Sequence, residues 1–277
     1  MTPLISIITV TYNAADYLAQ TIESVLAQTH PNIEYIIIDG GSIDGTVDII
    51  RNYESQITNT LKHFKFVREK DNGIYDAMNK GIRMAQGELI GIVNASDYYE
   101  PNTVERVVDA YLQNNDVGIF HGNMNMLNED GSFFKLKKPN INLEELYQGM
   151  SIYHPTFFVA KSVYEKYGLF DLQYKIAADF DFALRCNSAG VKFFYIDSVI
   201  SNFRKGGVSY IRIKATHQEC KKVLIQNGYA ETTVNVVAKV WEKLRKKDHL
   251  YYTLYKILKY VLPKPLINKI AHQASIK

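Results

Sequence analysis

Three polar clusters stand directly behind apolar runs: Thr11, Tyr12 and Asn13; Asp39, Gly40, Gly41, Ser42 and Asp44; and Asn94, Ser96 and Asp97. Their carboxylates and amides can hydrogen-bond a polar ligand from several sides. Glycines at 40, 41 and 45 would let backbone N–H groups approach that ligand closely. Loops are polar in any case, but three such clusters at equivalent places point to one binding edge. A fourth cluster, Asp71, Asn72 and Gly73, precedes a helical pattern, and two carboxylates, Asp179 and Asp181, stand in the run AADFDFALR. Residues i and i+2 do not share a helix face, so only one of these two would point into a common site.

The elements that must carry these residues alternate. Apolar, β-branched runs at Leu4–Thr11, Ile33–Asp39, Phe64–Val67 and Glu88–Val93 read as buried strands. Helical patterns fall between and after them: to about Gln28 (capped by Asn13 or Asp16), near Thr46–Tyr53, Ile74–Gln86 and Asn102–Gln113. This spacing predicts βαβ units and a mainly parallel, doubly wound sheet, in which ligands bind beyond the carboxyl ends of the strands. After Val117 the pattern predicts a hairpin through Asp130–Gly131 and further strands at His154–Ala160, Lys192–Ile196 and Val199–Phe203. A helix is predicted at Ala178–Ala189, and helices alone from about Ile211. Neither GxGxxG after the first strand nor GxxxxGK[ST] is present, which argues against a dinucleotide fingerprint and a P-loop.

The chain has 277 residues and a formal net charge of +3. That length suits one large α/β domain with an appendage and can bury a core without staples. The charge is unevenly spread: residues 239–277 carry 10 basic and 2 acidic residues, and residues 1–238 carry 22 basic and 27 acidic. Two cysteines, Cys186 and Cys220, form no CxxC or Cys/His cluster, consistent with inert thiols in a reducing cytosol. The apolar start lacks the flanks of a signal peptide, and no uncharged apolar run reaches spanning length.

The motifs match a family pattern. TVTYN (9–13), DGGSIDGT (39–46), NGIYDAMNKG (72–81), NASD (94–97) and AADFDFALR (177–185) occur in the order and spacing of family 2 glycosyltransferases. Across about residues 4–209 the chain resembles that family, whose fold is GT-A. The resemblance implies an α/β, Rossmann-like GT-A catalytic domain over 1–210 and a basic helical extension over 211–277. It implies a nucleotide-sugar donor at the strand ends: Asp39 with Thr11 and Tyr12 on the base, Asn13 and Ser42 beside them, and Asp71, Asn72 and Gly73 along the nucleoside. Lys80 and Arg204 are its phosphate candidates. Asn94 and Ser96 would reach the ribose, and Asp97 would hold a divalent cation, Mn²⁺ or Mg²⁺. A UDP-sugar is the favoured donor and a GDP-sugar the alternative.

Such chemistry needs these residue types. A nucleoside diphosphate leaves readily only when its charge is neutralised, and a divalent cation does so with one or two protein carboxylates, phosphate oxygens and water. The acceptor hydroxyl must lose its proton during attack, and a carboxylate can take it; the family's acidic motif assigns this to Asp179, with inversion at the anomeric carbon. The family's usual acid before Asp97 is Ser96 here, and the usual Glu before the base is Ala178. His154 and Asp181 are candidates beside donor or acceptor sugar, and His121 for the acceptor side. For each of them a structural role is the alternative, and for Asp76 and Asn79 local caps or sheet-edge hydrogen bonds are expected.

In the basic tail, Leu250, Leu254, Ile257, Leu258 and Val261 recur at helical spacing among tyrosines and lysines. They fit either helices packed on the catalytic domain or a contact with an anionic membrane surface. A membrane contact would suit a polyprenyl-linked saccharide acceptor, and assembly of a cell-surface polysaccharide or glycolipid, by an enzyme at the inner face of the membrane. Nucleic acid is not expected as a partner. Two rivals stand beside this reading: a nucleotide-sugar-binding protein without activity, and a sugar-phosphate nucleotidyltransferase, which would need a basic Gly-rich first loop where this chain has TYNAAD.

Overall fold

The computed structural model describes residues 2–207 and 212–241. Nine strands form one sheet in the order β3-β2-β1-β4-β8-β6-β9-β5, with β7 on the outer part of β6. The strands are β1 (Ile5–Thr11), β2 (Ile33–Asp39), β3 (His63–Arg68), β4 (Leu89–Ile92), β5 (Tyr98–Tyr99), β6 (Ile119–Leu127), β7 (Phe133–Lys137), β8 (Phe158–Ala160) and β9 (Phe193–Arg204). β1 pairs in parallel with β2 and β4, and β2 with β3. β8 runs antiparallel to β4 and β6, and β6 runs parallel to β9. The helices are α1 (Leu18–Leu26), α2 (Thr46–Thr60), α3 (Ile74–Met84), α4 (Thr103–Gln113), α5 (Lys161–Tyr167), α6 (Ala178–Ser188), α7 (Ile213–Gln226) and α8 (231–241).

The period-two pattern of the strands distributes apolar residues to both faces. Ile5, Ile7, Ile33, Tyr35 and Ile37 pack with α1, α2 and α4 on one side. Ile8, Val10, Ile36 and Ile38 pack with α3, α5 and α6 on the other. Each such fully buried aliphatic side chain contributes about 1.5–3 kcal/mol. The winding reverses between β1 and β4: α1 and α2 lead outward on one face, and α3 returns on the other. That reversal opens a crevice at the carboxyl ends of β1 and β4, where a doubly wound sheet takes its ligand. Gly81 of α3 is required by this packing, since a Cβ there would lie 2.5 Å from Ile8 Cγ2. At the opposite edge of the sheet, buried Glu34 accepts hydrogen bonds from Ser6 Oγ (2.6 Å), Lys65 Nζ (2.7 Å) and the Gln86 N–H (2.7 Å), which pins the turn before β4.

Several elements depart from the sequence expectation. Neither Asn13 nor Asp16 caps α1; its N-cap is Tyr17, without a side-chain bond. Asn13 instead takes φ +48°. α2 runs seven residues past Tyr53, to Thr60, and α3 ends at Met84. The segment predicted as one strand from His154 begins as a 3-10 turn, His154–Thr156, before β8. Pro155 forces this, since it fixes φ and offers no N–H to a ladder. The two strands predicted between Lys192 and Phe203 are one strand, β9, whose pairing with β6 shifts register at Gly122/Asn123 and Asn123/Met124. A β-bulge of this kind bends a strand without ending it.

α7 and α8 contribute Val223, Leu224, Val234, Val237 and Trp241 to the same core as α3 and α6. The described part of the basic extension is therefore packed on the catalytic face. Lys243, Arg245, Lys246, Lys247 and the apolar series from Leu250 to Val261 lie outside the described residues, as do Val208 and Ser209. Among the described residues, no helix is long and apolar enough to cross a membrane.

Candidate functional site

The loops after β1 and β2 are latched to each other. Asp39, fully buried, accepts the Gly41 and Ser42 N–H groups on Oδ2 (3.1 and 3.0 Å) and the Ser42 hydroxyl on Oδ1. Ser42 Oγ accepts the Asn13 N–H (2.8 Å), and Asn13 Oδ1 accepts the Ile43 N–H (3.0 Å). Asn tolerates its left-handed backbone here because its short amide bonds locally. Asp44 bonds the Ala15 and Thr46 N–H groups. Asn13 and Ser42 therefore build the rim; their groups hold the loops together. Tyr12, by contrast, stands 63% exposed at this rim, an aromatic face open to a planar ligand.

The wall opposite Tyr12 comes from the loop after β3. Asp71 accepts the Gly73 N–H (2.9 Å) and lies against Gly40, where a Cβ would overlap its carboxylate. Arg68 donates to the Ser42 carbonyl (2.9 Å) and stands 3.6 Å from Asp39. Asp76 accepts the Asn72 N–H (2.9 Å) and caps α3, while Asn79 bonds both the N–H and the carbonyl of Phe170. Asp76 therefore has a local role, while Asn79 tethers α3 to a segment 91 residues further along the chain. Lys80 is spent on the Lys70 carbonyl (3.0 Å), Glu69 (3.2 Å) and Asp76 (3.8 Å), so its ammonium is not turned to the crevice as a free phosphate ligand.

At the switch point, Asp97 is buried to 1% exposure. Burial pushes its carboxyl up to about 7, opposed by the Arg204 backbone N–H (3.0 Å), the Asn94 amide (3.4 Å) and the Ser96 hydroxyl (3.5 Å). Asn94 Oδ1 and Thr11 Oγ1 are buried with no hydrogen-bond partner. Buried polar atoms are normally satisfied, so the orphaned Asn94 oxygen beside a desolvated carboxylate, and that of Thr11 at the end of β1, fit a polar ligand at this edge. The donor set is all oxygen, the chemistry that Mg²⁺ or Mn²⁺ takes. Among the described residues, no three His, Cys, Asp or Glu side chains converge as a cage. A cation sharing its shell with ligand phosphates and water needs none.

Arg204 does not act as expected from sequence. Its guanidinium donates to Gln20 Oε1 (2.8 Å) and the Glu129 carbonyl (3.1 Å) and stacks 5.0 Å over Tyr17. These bonds occupy Nη1 and Nη2, while Nε is buried without a partner and the residue's main-chain N–H steadies Asp97.

The second group of residues gathers at the start of α6. Asp179 Oδ1 accepts the Tyr75 hydroxyl (3.0 Å) and the Phe180 N–H (2.9 Å). His154 is buried against Phe157 and Phe170; burial pulls its imidazole down, and the charge of Asp179 opposes this. Asp181 faces other partners: Arg185 Nε bonds its Oδ2 (2.7 Å) and Asn227 its Oδ1 (3.1 Å). Its carboxylate is thus taken up by a helix ion pair, not offered to a sugar. His121 lies within β6, away from the acceptor side expected of it: it sits among Phe157, Phe193 and Tyr195, and burial pushes it down to about 4. It packs as an aromatic ring and has no opening toward an acceptor.

Sequence reasoning missed Tyr75, Gln20, Lys175 and Glu219. Tyr75 lies in a recognised motif but in a helix run of apolar spacing, which reads as core. Gln20, Lys175 and Glu219 are ordinary polar residues whose partners are far away in the chain, so no local signal marks them.

Comparison with known proteins agrees with this geometry. The model of the family described as "Glycosyl transferase family 2" matches residues 6–168. A PGL/p-HBAD biosynthesis glycosyltransferase of Mycobacterium bovis is 29% identical over 214 residues, covering 75% of this chain and 79% of the relative. An uncharacterized glycosyltransferase of Rickettsia prowazekii is 30% identical, covering 71% and 60%. Among solved structures, S. aureus TarS 1-349 in complex with UDP-GlcNAc superposes with a TM-score of 0.62 at 18% identity, covering 86% of this chain and 71% of TarS. The mannosyltransferase PcManGT from Pyrobaculum calidifontis, in complex with GDP-Man and Mn²⁺, superposes with a TM-score of 0.65 at 18% identity, covering 100% and 81%. Both share the GT-A architecture.

Proposed function

The chain belongs to glycosyl transferase family 2 and is a glycosyltransferase, and from that premise we propose that it moves a sugar from a nucleoside-diphosphate donor to an acceptor hydroxyl with inversion. The observation that carries the donor is the pair of buried, unpartnered oxygens of Thr11, at the end of β1, and Asn94, beside desolvated Asp97, at the winding reversal of the sheet. Tyr12 would stack on the base. Asp39 Oδ1, which accepts one bond, keeps a lone pair for a base N–H. Asp71, Asn72 and Gly73 would border the nucleoside, and Asn94 and Ser96 the ribose. Asp97 would hold Mn²⁺ or Mg²⁺, which supplies Lewis-acid neutralisation of the diphosphate.

The acceptor side is Asp179. With Oδ1 bound to Tyr75 and Phe180, Oδ2 would take the proton of the attacking hydroxyl. His154, kept neutral at neutral pH by burial, would offer a ring nitrogen to the sugar. Attack from the face opposite the diphosphate inverts the anomeric centre. We favour a UDP-sugar. The two solved structures above hold UDP-GlcNAc and GDP-Man, so a screen must separate the bases. UDP and GDP, each with and without Mn²⁺, are the probes in thermal unfolding. UDP with Mn²⁺ at 100 times its Kd should add about 2.7 kcal/mol, roughly 5–10 °C for a chain of this size. A shift with GDP alone would move the donor to a GDP-sugar, and no shift with either would remove the nucleotide-sugar reading.

The basic tail supports an acceptor presented at a membrane, in assembly of a cell-surface polysaccharide or glycolipid. Basic residues near an anionic surface are worth about 1 kcal/mol each. Reversing Lys243, Arg245, Lys246 and Lys247 to Glu should abolish co-flotation of the full chain with phosphatidylserine vesicles while leaving the nucleotide shift intact. Equal flotation of parent and variant would count against a membrane role.

A further inference from the structure

Glu219 lies on α7, beyond the segment matched by the family model and inside the region the sequence sets apart as an appendage. Its carboxylate reaches the loop that leads into α6. Oε2 accepts the N–H groups of Lys175 (3.0 Å), Ile176 (2.7 Å) and Ala177 (3.0 Å), and Oε1 accepts that of Lys175 again (3.0 Å). Three consecutive amides thus converge on one carboxylate, an anion-binding concavity of the main chain occupied by a side chain. Ala177 is the N-cap of α6 and has no side-chain oxygen to cap it; Glu219 supplies an acceptor there from another helix. The Ile176 peptide is gripped on both sides, since its carbonyl lies 2.8 Å from the Tyr75 hydroxyl, which also reaches Asp179 Oδ1 at 3.0 Å. Lys175 Nζ donates to the Asn72 carbonyl (3.2 Å), which ties the same loop to the nucleoside wall.

We propose that Glu219 is a positioning residue for Asp179: by clamping the amides of Lys175, Ile176 and Ala177, the C-terminal helix sets the direction from which Asp179 meets the acceptor hydroxyl. This rests on the reading of Asp179 as the base. Only Ala178 separates the clamped Ala177 from Asp179, so a small rotation at the clamp is passed directly to the carboxylate. Proton transfer is sensitive to such displacements because the base must lie within hydrogen-bond reach of the hydroxyl. Glu219 grips the main chain of this loop, whereas the loop's link to the donor wall runs through the Lys175 side chain.

The test is turnover of whichever of UDP-GlcNAc or GDP-mannose the wild type hydrolyses faster with Mn²⁺, with hydrogen exchange as an independent readout. Glu219→Ala should lower kcat at least tenfold with donor KM and the nucleotide-dependent thermal shift unchanged. Glu219→Gln, which keeps one acceptor oxygen for the amides, should recover most of that loss. Exchange at Ile176 and Ala177 should speed up in Glu219→Ala and less in Glu219→Gln. Wild-type kcat in Glu219→Ala, a parallel loss of donor binding, or unchanged exchange at those amides would each overturn the proposal. If Glu219→Ala fails to fold, Glu219→Asp, one methylene too short to reach the three amides, takes its place, and unaltered exchange with unaltered kcat in it overturns the proposal as well. Asp179→Asn separates the two layers. If it is inactive and Glu219→Ala is not, only the positioning role falls. If Asp179→Asn turns over normally, the base assignment falls and takes the positioning role with it.

Discussion

Asp179→Asn is expected to lower kcat about 10²–10⁴-fold while leaving the affinity for UDP or GDP unchanged. The substitution keeps the shape of the side chain. Its amide carbonyl can still accept the Tyr75 hydroxyl and the Phe180 N–H that hold Asp179 now. What it loses is the oxygen able to take a proton, so the acceptor hydroxyl must attack while still protonated. The measurement is steady-state turnover of parent and variant, paired with the thermal shift given by the nucleoside diphosphate. A loss of turnover with the shift intact is the expected pattern. Retained turnover would remove Asp179 from the chemistry, and a lost shift would show that the change had disturbed the donor pocket instead.

Asp97→Asn should act in opposite directions on activity and stability. Burial pushes the Asp97 carboxyl up to about 7 in the folded chain, from 3.8. Between those values the native state holds a proton that the unfolded chain has released. Stability contributed by this group therefore falls as pH rises through that window. Above pH 7 the ionised carboxylate sits in its buried site at a cost of about 4 kcal/mol, the upper end set by the full shift. Asn carries no charge, so in EDTA the variant should match the parent near pH 4 and exceed its Tm at pH 8. Mn²⁺ should raise the Tm of the parent at pH 8 and leave the variant unmoved. Turnover in the variant should fall at least 100-fold, the order expected when a group that stabilises transition-state charge is removed. A variant with normal Mn²⁺-dependent turnover, or with a Tm below the parent at pH 8, would contradict the role of Asp97.

The residue whose ionised form is costly in the fold is thus the one we propose as the cation ligand. Stored cost at a functional site is common where a ligand relieves it. The two orphaned oxygens of Thr11 and Asn94 belong to the same pattern. The chain departs from its family at Ser96, where an acid is usual. Ser96 contacts Asp97 through its hydroxyl at 3.5 Å and adds no second charge to the crevice. A single buried carboxylate remains for the cation, and the Mn²⁺ titration of Asp97→Asn reads its contribution directly.

Much of the frame was legible from local patterns. The β-branched runs of β1, β2 and β4 predicted buried strands because such side chains suit a pleated surface covered on both faces. The polar clusters behind them predicted a shared edge because parallel strands end on the same side. Legibility failed where partners are distant. Pro155 broke a predicted strand, and a register shift joined two predicted strands into β9. Arg204 and Lys80 look like phosphate ligands as basic residues, yet Arg204 hydrogen-bonds the Gln20 amide and the Glu129 carbonyl, and Lys80 pairs with Glu69 and Asp76. His121 follows a polar pattern in sequence and packs among aromatic rings in space.

What the sequence by itself determined is the order of elements along the chain, and with it the edge of the sheet where the polar loops after β1, β2 and β4 gather. Hydrophobic periodicity is a local property, so a linear reading captures it. Only the tertiary structure decided the fate of the two carboxylates in AADFDFALR. Asp179 meets Tyr75, 104 residues earlier in the chain, and its loop is held by Glu219 from α7. Asp181, two residues on, is paired with Arg185 and hydrogen-bonded by Asn227. A carboxylate becomes a base or a strut according to what faces it, and that is set by packing of segments far apart in sequence.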